Sequence, residues 1–230
     1  MQILTKGNLT DKLFSLYNQL LAQHGHRKWW PADTPFEVAL GAILTQATSW
    51  RNVEKALDNL RAAGTFTPEE IDSVSQTVLE RLLRPSRYFR MKAQKVRAFV
   101  EHIKQRPMPL MFTQDVPELR EELLSIYGVG PETADTIILY AAGKPSFVVD
   151  SYTYRLFSRL GWVEGRYDYD KLRDLFMDNL PHDVDLFNEY HALIVGHGAR
   201  VCHKKTPNCQ ECRLRTSCDY YKSSERQVSE

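Results

Sequence analysis

Residues 123–150 read Leu123-Leu124-Ser125-Ile126-Tyr127-Gly128-Val129-Gly130-Pro131-Glu132-Thr133-Ala134-Asp135, then an apolar run, then Ala142-Gly143-Lys144-Pro145-Ser146-Phe147-Val148-Val149-Asp150. One helix is predicted to end at Tyr127 and the next to open at Pro131, since proline is accepted at the first helical position. Gly128 and Gly130 bracket the turn, and without side chains they let the backbone approach a partner closely. The N–H groups of the turn and of the new helix then face outward as an anion site. A nucleic-acid phosphate fits such a site without sequence preference. Taken alone, Gly-x-Gly is equally compatible with a plain connection between two helices.

Outward from this hairpin the chain is patterned for helices. Leu9, Leu13, Leu16, Leu20 and Leu21 form one stripe over residues 8–22, and residues 36–48 are apolar nearly all round, as in a buried helix. Residues 51–63 continue the pattern. Further helices are expected near 68–83, 89–105, 115–127, 131–142, 150–161, 168–178 and 186–200. Thr67-Pro68 is a start signal, with threonine as N-cap. No alternating strand pattern persists, so the fold is read as all-α. The polar tail 222–230 is expected to fray.

The chain has 230 residues, enough for one large domain or two small ones, and no apolar run approaches the roughly 18–20 residues of a membrane span. An opening without a secretory signal suggests an intracellular, reducing compartment. Net charge is +1, but its distribution is uneven. Arg81, Arg84, Arg87, Arg90, Lys92, Lys95, Arg97, Lys104 and Arg106 crowd one segment, with Glu101 the single acid among them. Arg200, Lys204, Lys205, Arg213 and Arg215 surround the cysteines. The reading is a basic face, with solvated helix surface as the plainer account of either cluster alone.

All four cysteines lie together as Cys202-x6-Cys209-x2-Cys212-x5-Cys218. In a reducing compartment this reads as a metal site, with zinc or an iron–sulfur cluster as occupant; two disulfides are the alternative. Asp150 precedes Ser151 where an aspartate can cap a helix. A fixed carboxylate there can also stabilise positive charge developing on a sugar. Trp29 and Trp30 are adjacent in a loop, and Trp50 follows Ser49. Such rings either pack in a core or sandwich a base, a cationic base gaining about 0.5–2 kcal/mol.

The hairpin, Asp150 and the four cysteines together resemble the endonuclease III superfamily of helix-hairpin-helix base-excision DNA glycosylases, over roughly residues 30–218. Gly128, Val129 and Gly130 match its hairpin, Gly143 and Pro145 its following loop, and Asp150 its catalytic carboxylate. The cysteine spacing resembles its [4Fe–4S] loop. The resemblance implies two helical domains: residues 30–142, with the hairpin at about 115–142, and residues 1–29 plus 143–221, carrying Asp150 and the loop 202–218. It implies double-stranded damaged DNA as partner, a flipped base in the cleft between domains, and a monomer without membrane attachment.

Gln46 matches the residue that plugs the gap left by the flipped nucleotide, and the segment with Arg87 and Tyr88 matches the second loop entering the minor groove. Val129, Thr133, Lys204 and Lys205 are further expected DNA contacts. Bifunctional members carry a lysine at the position of Glu132, and a carboxylate cannot form a Schiff base; Lys144 does not match that position. The resemblance therefore implies a glycosylase without lyase activity. Trp29-Trp30-Pro31, Arg84-Pro85-Ser86 and the stretch around Glu132 resemble the 3-methyladenine DNA glycosylase III branch. That branch implies an alkylpurine held by Trp29, Trp30, Trp50 and Glu132. A glycosylase for uracil, thymine mismatches or oxidised bases, and a DNA-binding module without catalysis, are the alternatives.

Overall fold

The structure, a computed structural model, describes residues 2–3, 9–27 and 32–228. The chain forms two compact units, Trp30–Lys144 and Met1–Trp29 with Pro145–Glu230.

In the continuous unit the helices are α2 (Pro35–Thr45), α3 (Trp50–Ala62), α4 (Pro68–Ser73), α5 (Gln76–Leu82), α6 (Phe89–Gln105), α7 (Met108–Met111), α8 (Val116–Ser125) and α9 (Pro131–Thr136). α2 is buried on every side, from Phe36 to Leu44. Its one charge, Glu37, is paired with Arg61 and accepts from the Asp33 N–H at 3.0 Å. Leu40, Ile43, Val53, Leu60, Val96, Phe99, Ile137 and Ile138 fill the core around it.

Four features differ from expectation, and the first two have a visible local reason. α2 ends at Thr45 rather than 48, because Gln46 leaves the helix (φ −53°, ψ 119°) and Ala47 turns left-handed (φ 54°). The expected helix 68–83 is two helices, since the Ser75 hydroxyl accepts the Val78 N–H and starts α5 afresh. α8 stops at Ser125, two residues before Tyr127, and α9 passes into a π-helical turn at Ile137–Ala141. At α4 the Thr67 capping box and Pro68 stand as the sequence suggests.

The discontinuous unit holds α1 (Leu9–His24), α10 (Ser151–Arg159), α11 (Tyr169–Met177), α12 (Val184–Arg200) and α13 (Asp219–Val228). α1 and α10 both pack on α12. The leucine stripe of α1 is buried, and Tyr190 of α12 donates its hydroxyl to the Leu13 carbonyl at 2.8 Å. Phe147 stacks on Phe176 at 3.7 Å between centroids, with Phe187 and Tyr190 edge-on to it. Two features depart from the expected pattern. A short antiparallel pair, β1 (Gln2–Ile3) with β2 (Val163–Glu164), joins the first described residues to the loop after α10. The tail expected to fray continues as α13 as far as Val228. The described fold is otherwise helical, and no described helix is long and apolar enough to cross a membrane.

Candidate active site and metal centre

The hairpin is built from α8, a tight turn and α9. Gly128 has φ +84°, and a Cβ there would lie 2.2 Å from Cγ of Lys95 on α6. The position therefore requires glycine both for its backbone and for the lysine stem beneath it. Gly130 caps α9 in extended conformation, followed by Pro131. Glu132 is exposed in the first turn, where the helix dipole favours an acid.

Gln46 reaches this hairpin. Its amide nitrogen donates to the Gly128 carbonyl and to the Thr133 hydroxyl, each at 3.0 Å, and its amide oxygen accepts from Lys95. Three expected DNA contacts, Gln46, Gly128 and Thr133, thus form one network. Thr133 is buried, so its side chain braces Gln46 rather than facing outward, and the Val129 side chain is likewise buried. Arg87 and Tyr88 form a second outward loop. Both have positive φ, 61° and 42°, and Tyr88 is 61% exposed. With Phe89, Arg90 and Met91 it rims an apolar surface hollow.

The basic run around this loop is not one open face. Lys92 is buried, Arg97 bonds Gln76 and the Val74 carbonyl, Lys104 pairs with Asp72 and Glu101, and Arg106 pairs with Glu122. Much of that charge holds helices together. Trp50 opens α3 and packs partly against the core of its unit. Trp29 and Trp30 lie outside the described residues.

In the other unit, Asp150 is the N-cap of α10. Its Oδ1 accepts from the Thr153 N–H at 2.8 Å and the Thr153 hydroxyl at 2.9 Å. Oδ2 faces His191 Nε2 of α12 at 3.8 Å. Burial works to raise its pKa, but the facing His191 imidazole and the donors of Thr153 outweigh it. The carboxyl is held below the ordinary 3.8. The two oxygens thus have different neighbours: one starts the helix and the other faces His191.

Cys202, Cys209, Cys212 and Cys218 all line one pocket, walled by Leu156, Leu160, Val201 and Leu214. None forms a disulfide. Arg159 donates to Cys202 Sγ at 3.0 Å, and His197 Nε2 stands 3.6 Å from Cys212 Sγ, itself bonded to His24 at 3.0 Å. Burial, then the neighbouring sulfurs, push the Cys212 thiol up to about 11 against the pull of the Leu214 N–H. Burial also raises Cys209 and Cys218, and the other sulfurs add to it. Four cysteines lining one pocket, with N–H donors aimed at Cys202, Cys212 and Cys218, are a donor set that suits a cationic iron–sulfur or zinc centre. Among the described residues, no three His, Cys, Asp or Glu side chains gather around the point a single ion occupies. The sulfurs are spaced around a pocket.

Residues 40–182 match the HhH-GPD superfamily of base excision DNA repair proteins. The chain belongs to that superfamily. A Methanocaldococcus jannaschii protein described as a candidate DNA repair glycosylase is 42% identical over 217 residues, covering 93% of this chain and 98% of the relative. Endonuclease III of Thermotoga maritima is 32% identical, covering 82% and 84%. Among solved structures, the H. pylori 3-methyladenine DNA glycosylase bound to 1,N6-ethenoadenine matches with a TM-score of 0.69 and 27% identity, covering 84% of this chain and 96% of that one.

As an HhH-GPD protein the chain is a DNA repair glycosylase of the endonuclease III type. Within it the sequence missed three side chains of the site: His191, which faces Asp150, and Lys92 and Lys95, which lie under the two outward loops. The one signal for the lysines was their phase on α6, which places Lys92 beside the buried Ala93 and Val96. His191 sits in a buried stretch of α12, where sequence alone reads a core histidine.

Proposed function

We propose that this protein is a monofunctional DNA glycosylase that hydrolyses the N-glycosidic bond of alkylated purines flipped from duplex DNA. The observation that carries this is Glu132, exposed in the first turn of α9 directly after the Gly128–Gly130 turn, where lyase members place a lysine. A carboxylate has no nucleophilic nitrogen for a Schiff base, so water is left as the nucleophile. It also favours a base carrying positive charge, as N-alkylated purines do. The likeness to a 3-methyladenine DNA glycosylase supports the same substrate class.

In this reading Asp150 is the catalytic carboxylate. It enters the reaction ionised, and its Oδ2 stabilises positive charge as the bond to the base breaks. Thr153 fixes the carboxylate through Oδ1, and His191 holds it from α12. Gly128 and Gly130 receive a phosphate, Gln46 fills the gap in the duplex, and Arg87 and Tyr88 enter the minor groove. Lys204 and Lys205, both exposed, contact the backbone. Cys202, Cys209, Cys212 and Cys218 hold a [4Fe–4S] cluster, a reading supported by the four cysteines lining one pocket without a disulfide. When bound, the cluster pins the loop that carries Lys204 and Lys205.

The test uses duplex DNA methylated with dimethyl sulfate, incubated with wild type and with Asp150→Asn. Chromatographic release of 3-methyladenine or 7-methylguanine by wild type alone is the expected result. No release by wild type, with DNA binding intact, sinks the alkylpurine reading and directs the search to uracil, mismatch and oxidised-base duplexes. A borohydride-trapped adduct of wild type with abasic DNA sinks the monofunctional reading.

A further inference from the structure

Lys92 is an unusual lysine. Its side chain is 2% exposed, and its ammonium donates to two backbone carbonyls, Leu44 at 2.7 Å and Ser86 at 2.5 Å. Burying an ammonium without a carboxylate is costly, so the arrangement has to secure something in return. Burial, then the charges of Lys95 and Arg87, push its pKa from 10.5 down to about 8. On α2 the one titratable group is Glu37, which sits at the far end of that helix from Leu44 and is taken by Arg61.

The two acceptors explain the placement. The Leu44 carbonyl belongs to the last turn of α2, and the Ser86 carbonyl ends the 3-10 turn Arg84–Ser86. Both are the electronegative ends of helices, where carbonyls lack internal partners and a cation is favoured. After Thr45, the last residue of α2, come Gln46 and Ala47, the latter at positive φ; immediately beyond Ser86 come Arg87 and Tyr88, both at positive φ. Among the described residues these three are the non-glycine positions with positive φ. Such backbone is disfavoured for a residue with a side chain and persists where its surroundings hold it.

We propose that Lys92 is a positioning residue for base excision, one buried ammonium that clamps the roots of the loops Gln46–Thr48 and Arg87–Tyr88 so that both meet the duplex in a fixed register. It touches neither DNA nor the reacting atoms and acts through those loops. The inference rests on the glycosylase reading and adds to it a residue that makes the two loops one device.

The experiment compares wild type, Lys92→Met and Lys92→Arg in single-turnover release from methylated duplex and in affinity for undamaged duplex. The expected result for the folded Met variant is an excision rate lower by about 10²-fold, the scale of an ångström's misplacement, with affinity for undamaged DNA unchanged. Arginine, which keeps the charge and the donors, is expected to restore most of the rate. Wild-type excision by Lys92→Met, or parallel losses of rate and affinity that arginine does not restore, overturns the proposal. Should the substituted proteins not fold, native-state hydrogen exchange on wild type decides. The Thr48 and Arg87 amides, bonded to Thr45 and Arg84, are expected to open with one common free energy, and independent opening overturns the clamp. If wild type releases no base, the alkylpurine reading fails by itself, and the exchange measurement still judges Lys92.

Discussion

The two oxygens of Asp150 have different neighbours, and the difference separates stability from catalysis. Asparagine keeps an oxygen for the Thr153 N–H but loses the charge. Asp150→Asn is therefore expected to melt close to wild type while its excision rate falls by about 10²-fold or more, the scale of losing one electrostatic stabiliser. Asp150→Ala additionally loses the cap, about 1 kcal/mol by thermal unfolding. The pH dependence has a definite sign. The folded carboxyl binds its proton less readily than in the unfolded chain, so its contribution to stability is complete above the ordinary 3.8 and disappears as pH falls through the lower folded value. Denaturant melts across that range are expected to show the loss in wild type and a flatter response in Asp150→Asn. At the hairpin, Glu132→Lys supplies the missing amine, and a borohydride-trapped adduct with abasic DNA is expected for the variant and not for wild type. At this scale Asp150 was legible because cap and carboxylate are both properties of one residue next to its own helix. His191 was not, since it comes from another helix and means something only when packed. Lys92 was hidden inside a basic run whose members on α6 differ in which side of that helix they occupy.

At the scale of elements the hairpin shows how a turn is fixed by what lies under it. Gly128→Ala brings two costs together, a left-handed φ and a Cβ driven into the Lys95 stem. A destabilisation of about 2–4 kcal/mol in chemical denaturation is expected, with weaker DNA binding from whatever protein remains folded. The helices were legible where apolar periodicity coincided with a cap, as in α4 with Thr67 and Pro68, or ran unbroken over several turns, as in α6 over Phe89–Gln105. They were misread where a side chain interrupts a continuing pattern, as Ser75 does, or where the backbone leaves the helix to present a residue, as Gln46 does. The β1–β2 pair was beyond reach, because two residues carry no period and their partner lies far along the chain.

At the scale of the molecule, the cysteine pocket ties α10, α12 and the segment before α13 to whatever it holds. Purified protein is expected to be yellow-brown and to contain iron, and a colourless zinc-loaded preparation counts against the cluster. Cys212→Ser is expected to remove the colour and lower the melting temperature while the Trp30–Lys144 unit keeps its helices, as read by circular dichroism.

The discontinuous unit has a consequence in time. α1 is made before residues 30–144, whereas α12, on which it packs, is made after them. A nascent chain leaving the ribosome carries the leucine stripe uncovered while residues 30–144 are synthesised and free to collapse on their own. At about 5–20 residues per second the stretch from the end of α1 to the end of α12 takes roughly nine to thirty-five seconds. Over that interval the stripe is a natural target for a chaperone, and the unit that carries Asp150 is completed only once α12 has been made.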